Sequence, residues 1–423
     1  MVASPSLAAG FGGFVGRARS AGRIVVQPRM GFADPVAMRS GIAATAAAGP
    51  ATAGTITLDS YTRTEQYSSV VEALRRGAHL NGYPIVTHDA STTRRVVEGL
   101  QHADFQIQVR HGSASPARII AAMTAAGIHA TEGGPVSYCL PYGRTPLRTS
   151  VENWRRSCEL LAATRDTGVE PHLETFGGCL LGQLCPPSVL VAVSVLEAMF
   201  FRQHGLRSIS LSYTQQVDHG QDAEALRALR LLAAEYLTDV DWHVVLYTYM
   251  GVFPSTRAGA RRLSRRAARL AASGQVDRLI VKTTAEAHRI PTIAENVEAL
   301  VAAAHDVEHA EHAEPATDAG EVLAESRALI EATLEHAADV GSALAAAFGR
   351  GHLDVPYCLH PDNAGAARSY IAADGRIAWL RVGAMPLRPP PAHRPELTST
   401  ELLGMLAFVA DSCDAPQVGG RAG

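Results

Sequence analysis

Residues 105–144 read FQIQVRHGSASPARIIAAMTAAGIHATEGGPVSYCLPYGR. An apolar run from Phe105 to Val109 ends in Arg110-His111-Gly112. An Ala/Ile-rich stretch follows, then His129-Ala130-Thr131, then Glu132 with two glycines, then Tyr138 and Tyr142. The pattern is strand, polar tip, helix, strand, polar tip. One turn carries a guanidinium and an imidazole; the next carries a carboxylate and two phenols. The reading is that these groups face one small polar substrate.

The same alternation extends outward in both directions. Strand runs are expected at Ile24–Gln27, Thr55–Leu58, Glu170–Leu173, Ser208–Leu211, Trp242–Leu246 and Leu279–Val281, with helical segments between them. Continuous Val/Ile runs suit strands covered on both faces, and the alternation argues a parallel sheet. The number of units is near the eight of a (β/α)8 TIM-type barrel. The count runs one or two over, so either Tyr83–Val86 or the strand at Ala130 is marginal. A doubly wound sheet is the alternative, but no G-x-G-x-x-G follows the first strand. The chain divides into a flexible N-terminal lead over 1–22, a barrel over 23–295, and a helical and small β C-terminal region over 296–423. In that last region an Asp374-Gly375 turn predicts a hairpin with Trp379 packed on it.

Length and charge set the outer limits. At 423 residues and a formal net charge of −3, the chain is too long for one small core and too neutral for a nucleic-acid surface. The basic run Arg257–Arg269 reads as a solvated helix face. Six cysteines without a C-x-x-C pair fit a reduced cytosolic protein with buried thiols. No apolar run is long enough to span a membrane. The acidic, His-rich stretch His305–Gly320 reads as an exposed loop or frayed helix end, because no apolar frame would hold metal ligands there.

Polar residues gather just after the strands: Arg29, Arg63, Arg110, Glu132, Glu174, Gln215 and Lys282. In a barrel these positions ring the C-terminal mouth, where ligands bind. Guanidinium keeps its proton and forks two bonds onto a carboxylate. Two or three such forks in one pocket imply a substrate with more than one carboxylate, or a phosphate; the bland alternative is that each pairs with a structural acid. Glu132, beside a Gly pair, can take a substrate ammonium or act as a base; its bland reading is a rim salt bridge. Tyr138 and Tyr142 offer hydroxyls and flat walls, although phenols alone are more often core. Lys282 and Glu286 could be a simple i,i+4 pair. A mouth with cations and aromatics, but no metal site of its own and no marked nucleophile, suggests chemistry supplied by a bound cofactor.

VVQPRMGFAD, LDSYTR, LNGYP, QVRHG, TEGGPVSYCLPYGR, LETFGG, LCPPS, GVFP and IVKTTAEAHRIPT occur in order between Ile24 and Leu387. With this spacing the chain resembles the epsilon (catalytic) chain of glutamate mutase, also called methylaspartate mutase. The resemblance implies an isomerase: a (β/α)8 barrel that rearranges L-glutamate to threo-3-methyl-L-aspartate with adenosylcobalamin. It implies a separate small sigma chain that carries the corrin through D-x-H-x-x-G, in an assembly of two chains of each kind. That motif is missing here; Asp241-Trp242-His243 comes closest, but Leu246 stands where glycine is needed. Alone, the chain is expected to be inactive. By the resemblance, Arg29, Arg63 and Arg110 match a claw on the substrate carboxylates, with His111 beside it. Glu132 matches the carboxylate that receives the amino group, and Tyr138 and Tyr142 match further substrate contacts. Gly31, Asn81, Pro141, Phe253, Lys282, Glu286 and Ile290 match positions touching the cobalamin or its adenosyl group. A barrel lyase or aldolase using Lys282 on a dicarboxylic amino acid remains the competing expectation.

Overall fold

The computed structural model describes residues 10–141, 143–181, 183–310, 319–390 and 396–416. Eight short strands form the centre: β1 (Val25–Pro28), β2 (Gly54–Thr57), β3 (Ile107–Arg110), β4 (Ala130–Gly133), β5 (His172–Thr175), β6 (Ser208–Thr214), β7 (Asp241–Tyr247) and β8 (Arg278–Val281). They pair in parallel in the order β1-β8-β7-β6-β5-β4-β3-β2. A bridge between Val26 and Thr52 joins the two ends, with Val26 N–H donating to Ala51 O at 2.9 Å, so the sheet closes on itself. This is the expected (β/α)8 barrel. The strand at Ala130 forms; Tyr83–Val86 does not, and Tyr83 makes only an isolated bridge to Leu58. Pro84 in that segment cannot donate to a ladder.

Helices follow the strands: α2 (Pro35–Ala46), α3 (Tyr67–Arg75), α4 (Ala90–Val97), α5 (Ala117–Ala125), α6 (Leu147–Ala163), α7 (Pro187–Gln203), α8 (His219–Tyr236), α9 (Arg257–Ser273) and α10 (Ile293–Glu308). Local chemistry starts several of them. Asp34 accepts the Ala37 N–H and Pro35 takes the first turn of α2. Asp218 caps α8 through the Gln221 N–H, and Thr292 with Glu295 forms a capping box on α10. The barrel therefore reaches past residue 295, because its eighth helix, packed on α2, α9 and β1, begins only at Ile293. The basic run lies on α9, where Arg257 and Arg261 pair with Glu298 of α10 and Arg265 lies 3.8 Å from Asp306.

Helices α11 (Gly320–Leu334) and α12 (Val340–Arg350) pack on the outside of α7, which is buried along Pro187–Ala198. The hairpin β9 (Arg368–Ile371) and β10 (Ile377–Arg381) forms at the Asp374-Gly375 turn, with the Trp379 indole donating to Glu325, and α13 (Ser399–Asp414) covers α9. All six cysteines are unpaired and buried. Among the described residues no helix is long and apolar enough to cross a membrane. Positions 311–318 of the His-rich stretch lie outside the described residues. His305 and His309, at its start, stack on one another at the end of α10.

The lead is where expectation and structure part. Residues 1–9 lie outside the described residues, but Phe11–Ser20 is a helix, α1, and not a flexible arm. Phe11, Phe14, Val15 and Ala18 are buried against Val25, Ala53 and Ala130, residues at the starts of β1, β2 and β4. The helix therefore stoppers the barrel at the end opposite the mouth. Glycine is required in it: a Cβ at Gly12 would stand 2.1 Å from the Ser208 hydroxyl. Phe11 stacks on His172 at 5.1 Å and lies 4.8 Å from the Arg278 guanidinium carbon. Phe11→Ala should cost about 3–5 kcal/mol, the usual toll of an emptied aromatic site. Urea unfolding checks this; a change under about 0.5 kcal/mol would make α1 a surface appendage.

Candidate active site at the barrel mouth

Inward-facing side chains of this barrel are polar in successive layers. Nearest α1 lie His172 and His243, stacked at 5.0 Å, with Ser208 2.8 Å from His172 Nδ1. Above them Arg278 on β8 bonds Glu174 on β5, both fully buried. Gln108 accepts from Arg278 Nη1 at 3.1 Å, and its amide donates to Glu174 Oε2 at 3.2 Å. Gln27 joins the layer, donating to Thr55 and Gln108 at 2.9 Å each and accepting from Arg278.

The next layer carries the predicted site. Arg110, the last residue of β3, donates from Nε to Glu132 Oε2 on β4 at 2.7 Å, with both side chains almost fully buried. The Tyr138 phenol donates to Glu132 Oε1. The Tyr247 phenol lies 2.8 Å from Glu132 Oε2 and also reaches Glu174 Oε1, linking the two carboxylate layers. The Tyr247 ring also sits 5.0 Å from the Arg110 guanidinium carbon. Burial works against the Arg110 charge, but Glu132 together with Tyr247 and Tyr138 more than offsets it, so the pKa ends well above the usual arginine range. Burial first, and Glu132 and Glu174 with it, likewise keep Tyr247 protonated.

Among the described residues, a donor of Arg110 and a donor of His111 lack a partner. Arg110 Nη1 is buried with nothing accepting from it. At His111, Nδ1 accepts the Ser113 N–H at 3.0 Å, which puts the ring proton on Nε2, and Nε2 is buried without an acceptor. Burial, then the nearby Arg63 charge, hold this imidazole down to about 3, so it is neutral at physiological pH. Its ring stacks on Trp154 and meets Tyr138 edge-on at 5.1 Å. Unmet buried donors cost free energy unless a ligand accepts from them.

Most of the remaining predicted residues lie in segments that follow the strands. Arg63, in a helical turn after β2, donates twice to Leu58 O, at 2.9 and 2.7 Å. Arg29 follows β1, half-buried, with no hydrogen bond or ion pair among the described residues. The three arginines are therefore held differently: Arg110 bonds Glu132, Arg63 bonds the Leu58 carbonyl, and Arg29 does neither. Asn81 Oδ1 accepts the Ser60 N–H at 2.9 Å. Gly31 and Pro141 follow β1 and β4, and Ile290, after β8, leaves 56% of its surface exposed. Tyr142 lies outside the described residues.

Lys282 is the only lysine in the sequence; every other long-chain cation is arginine. It is 7% exposed, and its ammonium stands 4.9 Å from the Phe253 ring centroid. Burial, then the Arg29 charge, draw it down to about 8, while Glu286 acts in the opposite sense. Its solitude was legible in the composition. Arg278, Gln27 and Gln108 gave no such signal, since polar residues inside short strands look the same whether they face a well or a neighbour.

Together these features describe an enzyme-like barrel: a closed, stoppered (β/α)8 fold with a buried polar well opening at the C-terminal ends of its strands. The family model of the methylaspartate mutase E chain (MutE) matches residues 8–396. The glutamate mutase epsilon subunit of Haloarcula marismortui is 36% identical over 337 residues, covering 76% of this chain and 68% of that one. The one from Halobacterium salinarum is 34% identical over 348 residues, covering 78% and 71%. The chain thus belongs to the methylaspartate mutase E chain family.

An amine with a pKa of about 8 reacts with acylating or reductively methylating reagents near neutral pH, where an ordinary lysine is still protonated. Peptide mass mapping should show Lys282 as the only internal site modified, at a rate that rises through pH 8. A rate that rises only toward pH 10.5 would mean an ordinary, solvated amine.

Proposed function

We propose that the chain is the catalytic subunit of an adenosylcobalamin-dependent glutamate mutase, an isomerase that interconverts L-glutamate and threo-3-methyl-L-aspartate. The observation that carries this reading is the charge arrangement at the mouth. Arg278 is matched by Glu174 and Arg110 by Glu132. Half-buried Arg29 and desolvated Lys282 add positive charge near these pairs, which suits a small dianion that also carries one ammonium.

The substrate carboxylates would lie toward Arg29, Arg63 and the free Nη1 of Arg110, with the His111 Nε2–H as a neutral donor beside them. Glu132, held by Tyr138 and Tyr247, would receive the amino group. Tyr142 keeps its proposed role as a further contact. Gly31, Asn81, Pro141, Phe253, Lys282, Glu286 and Ile290 are the residues that would hold the cofactor. An exposed Ile290 and a desolvated Lys282 against Phe253 fit a large, flat, amide-rimmed ring. When bound, that cofactor would supply the radical chemistry that a carbon-skeleton rearrangement requires. The chain's own residues fix both ends of the substrate and line the pocket with buried groups, which keeps water from the reactive carbon. Because the D-x-H-x-x-G motif is missing, a separate small sigma chain would bring the corrin, in an assembly of two chains of each kind.

The Lys282 amine, drawn down to about 8 chiefly by burial, also favours one other reading, a Schiff-base lyase on a dicarboxylic amino acid. The deciding assay mixes this chain with a sigma partner, adenosylcobalamin and L-glutamate. Methylaspartate is expected, with no product from either chain alone. Borohydride trapping of substrate on Lys282, without methylaspartate, would establish the lyase. Arg110→Lys should lower kcat/KM roughly tenfold to a hundredfold, matching the ~1.5–3 kcal/mol of a hydrogen bond to a charged group. Unchanged kinetics would remove Arg110 from the claw.

A further inference from the structure

Helix α7 is apolar over most of its buried length, and Glu197 is the only charged residue within Pro187–Ala198. The carboxylate is fully buried and has no ion pair among the described residues. It is satisfied by two strand tips instead. Oε1 accepts the Val136 and Ser137 N–H groups at 3.2 and 2.9 Å. Oε2 accepts the Ser137 hydroxyl at 3.0 Å and the Phe176 N–H at 3.3 Å. The approach is so close that a Cβ at Gly134 would stand 2.0 Å from Oε1, so the second glycine of TEGG makes room for this acid.

We infer that Glu197 is a positioning residue for the ammonium end of the substrate site: it ties the loop after β4 to the tip of β5 and so holds Tyr138 against Glu132. This rests on the reading of Glu132 and Tyr138 given above. Val136 and Ser137 immediately precede Tyr138, whose phenol bonds Glu132. Phe176 packs against the rings of both Tyr138, at 5.0 Å, and Tyr247, at 5.6 Å. The two phenols that hold Glu132 are therefore braced by side chains whose backbone Glu197 fixes. Burial without a cation pushes the Glu197 carboxyl up to about 7, a standing cost for a bond geometry that no apolar residue at this position could supply.

The test uses the assembled enzyme with Glu197→Gln and Glu197→Met. A glutamine oxygen can still accept both β4 N–H groups, but its amide faces the Phe176 N–H donor to donor. Hydrogen exchange read by mass spectrometry should therefore speed up only in peptides covering 174–180 for Glu197→Gln. For Glu197→Met it should speed up in those covering 133–140 as well. Glu197→Met should lower kcat/KM for L-glutamate roughly tenfold to a hundredfold, the range a misplacement of about an ångström produces. Cofactor affinity should stay as in wild type, and Glu197→Gln should recover most of the loss. Wild-type kinetics in Glu197→Met, or equal loss of cofactor affinity and of exchange protection throughout the chain, would overturn the inference and leave Glu197 as core. If the wild-type assembly fails to rearrange L-glutamate, the functional reading falls by itself. The local exchange pattern still decides whether Glu197 ties the two tips.

Discussion

Two buried ion pairs joined by one phenol hold this barrel's interior together: Arg278 with Glu174, Arg110 with Glu132, and Tyr247 reaching both carboxylates. Barrel interiors are ordinarily packed with branched apolar side chains. Ion pairs in their place do not add stability cheaply, because desolvation can exceed the attraction. Every member here is therefore bonded several times over. Glu174 takes Arg278, Gln108, Ser210 and Tyr247, while Glu132 takes Arg110, Tyr138 and Tyr247. Arg278 Nε is left without a partner in the lower layer, and Arg110 Nη1 and His111 Nε2 in the upper one, among the described residues. Tyr247 has a single proton for two carboxylates, so removing either acid changes the hydrogen bond at the other; the layers respond as one unit.

A polar well must be sealed at one end, or water would screen it from below. Helix α1 does this with Phe11, whose ring faces both Arg278 and His172. An aromatic face can meet a cation without taking a hydrogen bond from it, so it closes the well and leaves the ion pair intact. The glycines of FGGFVG look like a disordered lead in sequence. In the fold Gly12 is what lets a helix approach the strand ends closely enough to act as a stopper.

How far the sequence could be read follows from this layout. Strand tips were legible, because a polar residue after an apolar run has few other reasons to be there; Arg110, Glu132 and Lys282 were found that way. Most of the barrel strands were recognisable from their apolar, often β-branched runs, and the surplus in the count is resolved at Tyr83–Val86, where Pro84 cannot donate to a ladder. The interior was not legible. Gln27, Gln108 and Arg278 sit inside four-residue strands, too short for an alternation to reveal which way they face. Glu197 was hidden differently, as one acid in an apolar helix whose partners lie 60 and 21 residues away.

The contrast between arginine and lysine completes the picture. A chain that uses arginine for every other long-chain cation keeps one lysine, at the end of β8 where the well opens. Guanidinium suits the claw because it never releases its proton and its fork is rigid. Neither property is useful where a cation must lie against Phe253, desolvated and crowded by Arg29 and Arg110. There a fourth permanent charge would add to the repulsion within the mouth whenever no dianion is present. An amine can lower its charge as its surroundings demand, so the charge at this opening can adjust where a fourth guanidinium could not.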